Sequence, residues 1–190
     1  MKIIVGICGA SGVIYGVKLI EVLRNLGNEV YVVVTKNALR VLRLECGDKV
    51  IEILKDASTE FYDEDDWRSP IVSSSWIFDS MVVAPCSLKT LAAISHGFAH
   101  NVLVRAAINA LRMNKKLVLV IRETPWSIID LENALKAAKA GAIILPACPA
   151  FYHEPKTIDD MVNFIVGKVL DVLNIKHELY KRWKGLKFLK

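Results

Sequence analysis

Short runs of apolar residues alternate with segments of helical spacing along the whole chain, and this alternation limits the fold more than any other feature. The main runs lie at 2–8, 29–34, 81–85, 116–121 and 142–145. They are apolar on both faces, which is typical of parallel strands covered by helices on each side. We therefore predict one doubly wound, Rossmann-like α/β domain over 1–190, with a parallel sheet and with ligands at the carboxyl ends of the strands.

Amphipathic spacing predicts helices at 13–26, 36–46, 87–95, 101–113, 127–140 and 157–173. Thr35 is expected to cap the second of these helices, and Thr157 with Asp160 forms a variant of the capping box. A further short strand is predicted at 50–54. Residues 55–70 are polar and acidic, which predicts a surface loop.

Composition narrows the functional classes. Hydrophobic residues make up 53% of the chain, but no run approaches the roughly 20 apolar residues of a membrane helix. We interpret the surplus as buried strands and a subunit interface. The cysteines form no CxxC pair and the histidines lack metal-ligand spacing, which favours a reduced cytoplasmic protein without a metal site. The basic tail at 176–190 lacks any nucleic-acid motif, so a solvated or interface-packed terminus is favoured over nucleic-acid binding.

Two predicted strands lead into turns that suit a phosphate. The first strand runs into Gly9-Ala10-Ser11-Gly12, and the strand at 81–85 runs into Cys86-Ser87-Leu88-Lys89-Thr90. Hydroxyls and free N–H groups at a helix start form an anion site, which the helix dipole reinforces. The glycine-rich turn is not the dinucleotide GxGxxG pattern, and a tight turn with close helix packing explains it as well. Together the two turns indicate a nucleotide-like ligand.

Charged and aromatic residues follow the later strands. Arg122 and Glu123 come directly after a buried strand and are interpreted as functional, with a surface ion pair as the alternative. An arginine there can clamp a phosphate or a flavin carbonyl, and a buried glutamate can move protons. Tyr152 and Lys168 would suit a second phosphate, although a core tyrosine and a solvated lysine are the default interpretations.

Four segments carry a family resemblance: GASGVIYG, MVVAPCSLKTLAAISHG, RETPWSIIDLENAL and GAIILPACPAFYHEPKTIDDMV. Together they resemble the UbiX/Pad-type flavin prenyltransferases over nearly the whole chain. The resemblance implies a metal-independent transferase that binds FMN and dimethylallyl phosphate. Its product would be prenylated FMN, the cofactor of UbiD-type decarboxylases, and its assembly a homo-oligomer, specifically a dodecamer.

The resemblance also implies roles for individual residues. FMN would be contacted by Gly9, Ala10, Ser11, Thr35, Ser87, Leu88, Lys89, Thr90 and Arg122. Dimethylallyl phosphate would be held by Tyr152, Lys168 and Arg112, and the catalytic positions would be Glu123, Glu45, Ser11 and Trp183. Three features depart from the family pattern: Arg112 replaces a lysine, Ile108 replaces an aspartate, and the serines at 73–75 lack an intervening glycine.

Two other functions remain open at this point. One is a flavin-dependent cysteine decarboxylase of the same fold, although Lys89 stands where the asparagine of its PxSxN-type motif would be sought. The other is an FMN electron carrier, for which Tyr152 and Lys168 would have no purpose.

Overall fold

A computed structural model describes residues 1–185, whose six strands form one parallel sheet of order β3-β2-β1-β4-β5-β6. The strands are β1 (Lys2–Ile7), β2 (Glu29–Val34), β3 (Glu60–Asp63), β4 (Ser80–Cys86), β5 (Lys116–Ile121) and β6 (Ala142–Pro146). The helices are α1 (Ile14–Asn25), α2 (Lys36–Cys46), α3 (Val50–Ala57), α4 (Leu88–Ser95), α5 (Val102–Arg112), α6 (Ile128–Lys139) and α7 (Ile158–Leu173). A single 3₁₀ turn at Pro70–Val72 precedes β4. The predicted parallel α/β architecture is confirmed.

The sheet separates two layers of apolar side chains. In β1, Ile3, Val5 and Ile7 join a cluster that includes buried residues of α1 and α7. Ile4 points to the opposite face and joins a cluster that includes buried residues of α4 and α5. Side chains alternate between the faces of a strand, so a strand covered on both sides must be apolar throughout.

Local sequence signals account for the helix starts. The Thr35 hydroxyl accepts the Ala38 N–H at 3.2 Å, as the sequence predicts for the cap of α2. Thr157 and Asp160 form the expected reciprocal capping box at the start of α7. Ser127 and Asp130 form a second capping box at α6. Each cap satisfies N–H groups that lack a partner within the helix.

Two predictions for the region between β2 and β4 are wrong. The segment 50–54 is part of helix α3, because its buried residues, Val50 and Leu54, lie one helical turn apart. The segment 55–70 is not wholly loop, since β3 pairs with β2 at the edge of the sheet. The acidic run that follows also has a structural role, because the Glu64 carboxylate accepts the Lys36 N–H and an Asn101 side-chain N–H, both at 2.8 Å.

None of the helices within residues 1–185 combines the length and the apolar character needed to cross a membrane.

Candidate active site

The order of the strands places a crevice between β1 and β4. The chain runs outward from β1 through β2 to β3, and then returns to the other side of β1 for β4, β5 and β6. In sheets of this kind, ligands bind outside the carboxyl ends of the strands at the point of reversal. The turns after β1 and β4, which the sequence singles out, therefore flank the same crevice.

Direct contacts join these two turns. The Cys8 N–H donates to the Pro85 carbonyl at 3.2 Å, and the Cys8 thiol donates to the Thr90 hydroxyl at 3.2 Å. The neighbouring Cys86 thiol lowers the pKa of the buried Cys8 thiol, whereas burial raises the pKa of Cys86 well above its ordinary value. The floor of the crevice is therefore closely packed, with Cys8, Cys86 and Thr90 all buried.

The N-terminus of α4 has open hydrogen-bond donors. Ser87 caps the helix, because its hydroxyl accepts the Thr90 N–H at 3.3 Å. Among residues 1–185, no acceptor reaches the N–H groups of Leu88 or Lys89. Two such groups at the positive end of a helix dipole, beside the exposed Lys89 side chain, suit an anion.

The N-terminus of α1 is different, because Glu45 occupies it. One carboxylate oxygen of Glu45 accepts the N–H groups of Gly12 and Val13, at 2.8 and 3.2 Å. The Glu45 carboxylate thus takes the two N–H groups that the sequence predicts for a bound phosphate. A phosphate binds at this turn only by displacing the Glu45 side chain.

Packing explains the glycines of the first turn. A Cβ on Gly9 would lie 2.5 Å from the Cβ of Asn37, and one on Gly16 would lie 2.2 Å from the Ala84 carbonyl oxygen. Gly12 has a φ of +90°, which favours glycine. The close-packing interpretation of this turn is therefore confirmed, and the exposed side chain of Ser11 remains available to a ligand.

Arg122 and Glu123 line a cavity of about 620 Å³ at the ends of β5 and β6. The Arg122 Nε donates to the Ser11 carbonyl at 2.8 Å, which fixes the guanidinium beside the first turn. The exposed carboxylate of Glu123 accepts the Thr124 N–H at 3.1 Å. Neither side chain forms an ion pair within residues 1–185. Both residues therefore keep charged groups for a ligand in the cavity.

An aromatic cluster lies between the loop after β6 and α7. The Tyr152 ring meets the Trp183 ring edge to face, with centroids 5.6 Å apart, and lies 6.1 Å from the Phe164 ring. Phe164 in turn lies 4.8 Å from Tyr180. Residues 176–185 thus run back along α7. Lys168 lies one helical turn beyond Phe164 and is half exposed.

Arg112, which the resemblance assigns to the donor phosphate, and Ile108, which departs from the family pattern, both lie on α5. Arg112 ends α5, which leads into the amino end of β5, so it lies at the opposite edge of the sheet from Arg122. Ile108 is buried among apolar residues of α5 and the sheet, which explains the apolar side chain at this position. One copy of the chain therefore does not bring Arg112 to the other site residues.

Several ordered contacts join residues far apart in the chain and were not expected from the sequence. Arg105 and Asn109, on α5, both donate to the Val72 carbonyl, at 3.0 and 2.9 Å, and fix the segment before the serines at 73–75. Asp171 holds three residues of the C-terminal tail, for which the sequence favours a solvated or interface-packed terminus. The available signal was Asp171 itself, the one acidic residue of α7 beyond its first turn.

Comparisons with known proteins agree on one family. The family model Flavoprotein matches residues 1–170. The flavin prenyltransferase UbiX of Saccharolobus solfataricus is 52% identical over 186 residues, which cover 97% of this chain and 92% of that relative.

Solved structures match over nearly the full length. The crystal structure of AnUbiX (PadA1) in complex with FMN and dimethylallyl pyrophosphate superposes with a TM-score of 0.94, at 36% identity and 98% coverage of both chains. A dodecameric FMN-dependent UbiX-like decarboxylase from Escherichia coli O157:H7 gives a TM-score of 0.94 at 39% identity, covering 97% of this chain and all of that one. Solved cysteine decarboxylases are only 15% and 17% identical and share the fold alone.

Proposed function

Because the chain belongs to the UbiX family of flavin prenyltransferases, we propose that it joins a dimethylallyl group, taken from dimethylallyl phosphate, to N5 and C6 of reduced FMN. The observation that carries this proposal is the match of 52% identity over 97% of the chain to a flavin prenyltransferase. It is supported by the structure of AnUbiX (PadA1), which aligns over 98% of both chains and was solved in complex with FMN and dimethylallyl pyrophosphate. The thiol-decarboxylase alternative has only a shared fold in its favour.

The crevice between β1 and β4 fits FMN. The open N–H groups of Leu88 and Lys89 suit the flavin phosphate, and no side chain of residues 1–185 occupies them. The hydroxyls of Ser11 and Thr35, together with the guanidinium of Arg122, would bind the remaining polar groups of the flavin. Reduced FMN supplies the nucleophilic ring positions. The protein's contribution would be to hold the ring against the buried floor around Cys8 and Cys86 and to exclude water.

A second group of residues would take the donor. The Tyr152 hydroxyl and the Lys168 ammonium would bind the phosphate, and they would stabilise its added negative charge as the allylic C–O bond breaks. The Trp183 ring, which lies against Tyr152, would face the positive charge that develops on the allylic carbon. Arg112 would complete this site from another copy of the chain, because its own protomer places it at the opposite edge.

Two carboxylates are available for proton movement. Glu123 lies in the cavity beside Arg122, where it would take up the proton that N5 loses on alkylation and give it to the prenyl double bond for closure onto C6; the departed phosphate would take the proton that C6 then loses. Glu45 caps α1 next to Ser11 and would move if a ligand enters that turn.

The proposal extends to assembly and pathway. The UbiX-like relative from Escherichia coli is dodecameric, and we propose the same homo-oligomer here. Exposed apolar residues of α6, among them Ile128, Leu131 and Leu135, supply a surface for it. We place the enzyme in the cytoplasm, with a UbiD-type decarboxylase as the recipient of its product.

The test is an anaerobic incubation of the purified chain with chemically reduced FMN and either dimethylallyl phosphate or dimethylallyl pyrophosphate. Mass spectrometry of the extracted flavin should find a species heavier by one prenyl unit. The donor that gives the faster reaction is the preferred substrate. Unchanged flavin with both donors, from protein that binds FMN, would refute the proposal.

A pair of variants tests the carboxylate. Glu123→Gln should retain FMN binding and lose about 100-fold in turnover, which is typical of a missing general acid or base. Glu52→Gln removes the same charge from an exposed position of α3, outside both the cavity and the proposed oligomer surface, and should behave as the unaltered protein. Equal turnover by the two variants would show that Glu123 does not carry protons.

A further inference from the structure

The C-terminal segment 176–185, here called the tail, contains no helix or strand. Its last five residues, 181–185, are all exposed. Holding such a segment in one conformation costs conformational entropy, which only specific contacts can offset. The tail nevertheless places Trp183 against Tyr152, with ring centroids 5.6 Å apart. Its position therefore depends on the few contacts that the tail makes with α7.

Most of the polar contacts converge on Asp171. Its Oδ1 accepts hydrogen bonds from the Arg182 guanidinium at 2.7 Å and from the His177 Nε2 at 3.0 Å. Its Oδ2 accepts the Tyr180 hydroxyl at 2.5 Å and lies 3.7 Å from the Lys168 Nζ. One carboxylate thus holds three tail residues and also touches a residue of the proposed donor site.

The Asp171 carboxylate is charged at neutral pH. Burial by itself would raise the pKa of this carboxyl, but hydrogen bonds from Arg182, Tyr180 and His177 outweigh burial and hold the pKa well below its usual range. Charge-assisted hydrogen bonds are about twice as strong as neutral ones. A neutral side chain at this position would therefore weaken all three connections together.

An apolar socket on α7 determines where the tail can lie. A Cβ on Gly167 would come within 2.6 Å of the Tyr180 ring and 2.8 Å of the His177 ring. The missing side chain lets both rings lie directly on the helix. Tyr180 also packs on Phe164, one turn closer to Tyr152. The socket, formed by Gly167 and Phe164, holds the Tyr180 and His177 rings against α7. Asp171 accepts hydrogen bonds from the Tyr180 hydroxyl and the His177 Nε2.

We propose that Asp171 is a positioning residue, whose carboxylate fastens the tail to α7 and thereby sets the place of the Trp183 ring against Tyr152 in the donor site. This inference rests on the proposed function for its catalytic consequence, though not for the docking itself. Arg182 neutralises the carboxylate, so Asp171 does not repel a phosphate held by the neighbouring Lys168. Asp171 thus connects Lys168, the proposed donor-binding cation, with the aromatic cluster that contains Tyr152 and Trp183.

The experiment compares Asp171→Asn with a matched control, Glu178→Gln. Glu178 is an exposed acid of the tail itself, and within residues 1–185 its side chain makes no hydrogen bond or ion pair. The first readout is the rate of trypsin cleavage after Lys181 and Lys184 in the folded protein. We expect cleavage to be about tenfold faster in Asp171→Asn, because the charged hydrogen bonds are lost, and unchanged in Glu178→Gln.

The second readout is the kinetics of prenyl transfer. Asp171→Asn should lower kcat/KM for the dimethylallyl donor about tenfold while the Kd for FMN stays within about twofold. In a Trp183→Ala background the same substitution should have less than about a twofold further effect, because there is no ring left to position. A merely structural role for Asp171 would leave its effect unchanged in that background.

Arg182→Met provides a second approach if Asp171→Asn folds poorly, because it removes the partner from the exposed side and leaves α7 intact. It should reproduce both the faster cleavage after Lys181 and the loss of kcat/KM. Equal cleavage rates for Asp171→Asn and Glu178→Gln, or a full Asp171→Asn effect without Trp183, would overturn the inference. Absence of prenyl transfer by the unaltered protein would instead refute the proposed function, and the cleavage rates would still decide whether Asp171 fastens the tail.

Discussion

Gly16 lies where α1 contacts the backbone of β4, next to the proposed flavin site. The Gly16→Ala substitution would place a Cβ 2.2 Å from the Ala84 carbonyl oxygen and 3.1 Å from the Ile7 side chain. A carbon and a carbonyl oxygen do not approach much closer than about 3.3 Å, so helix and strand must separate by about 1 Å. The obstacle is a backbone atom of β4 and not the end of a flexible side chain, so the clash is relieved only if the helix or the strand moves.

Two opposing contributions decide whether Gly16→Ala raises or lowers the free energy of unfolding. Overpacking of a tight core costs up to about 3 kcal/mol. Alanine is a better helix former than glycine by about 1 kcal/mol, which opposes that cost. We therefore expect Gly16→Ala to lower the free energy of unfolding by about 2 kcal/mol, which corresponds to a Tm about 4–8 °C lower for a chain of this size.

The assay is urea and thermal unfolding followed by circular dichroism, without added flavin. Asn25→Ala, at an exposed position of the same helix, is the control for helix propensity and should be neutral or slightly stabilising. FMN affinity should also fall in Gly16→Ala, by about tenfold, because the displaced strand leads directly into the turn with the open N–H groups. A Gly16→Ala protein as stable as the unaltered chain would refute the packing argument.

Three further predictions concern other elements. Thr157→Ala should destabilise the protein by about 1 kcal/mol in urea unfolding, since α7 loses its capping box. Burial raises the pKa of Tyr62 to about 12. The phenol of the unfolded chain ionises near pH of about 10, so the stability contributed by neutral Tyr62 is complete below that pH and is lost as the pH rises towards 12. Urea midpoints that fall less steeply over this range in Tyr62→Phe would agree with this, and identical profiles would contradict it. Iodoacetamide should alkylate the exposed Cys148 before Cys86, whose thiol is buried and has a raised pKa; peptide mapping over time would reveal the opposite order if the burial were wrong.

The sequence pattern predicted strands and helix caps correctly where neighbouring residues alone determine the structure. The continuous apolar runs predicted β1, β2, β4, β5 and β6, because a strand covered on both faces has no polar positions. Caps such as those of Thr35 and Thr157 depend on residues three positions apart. The wrong strand at 50–54 illustrates the limit, since a short apolar run fits a strand and a helix turn equally well, and packing against neighbouring helices decided for α3.

By itself, the sequence determined the parallel α/β fold, the family and the two turns that flank the crevice, because periodicity and contiguous motifs specify these features. Only the tertiary structure decided which residues meet. It placed Glu45 on the N-terminus of α1, separated Arg112 from Arg122, and brought the tail back to Asp171. Contacts between residues far apart in the chain depend on how whole elements pack against each other, and no local pattern of residues encodes that arrangement.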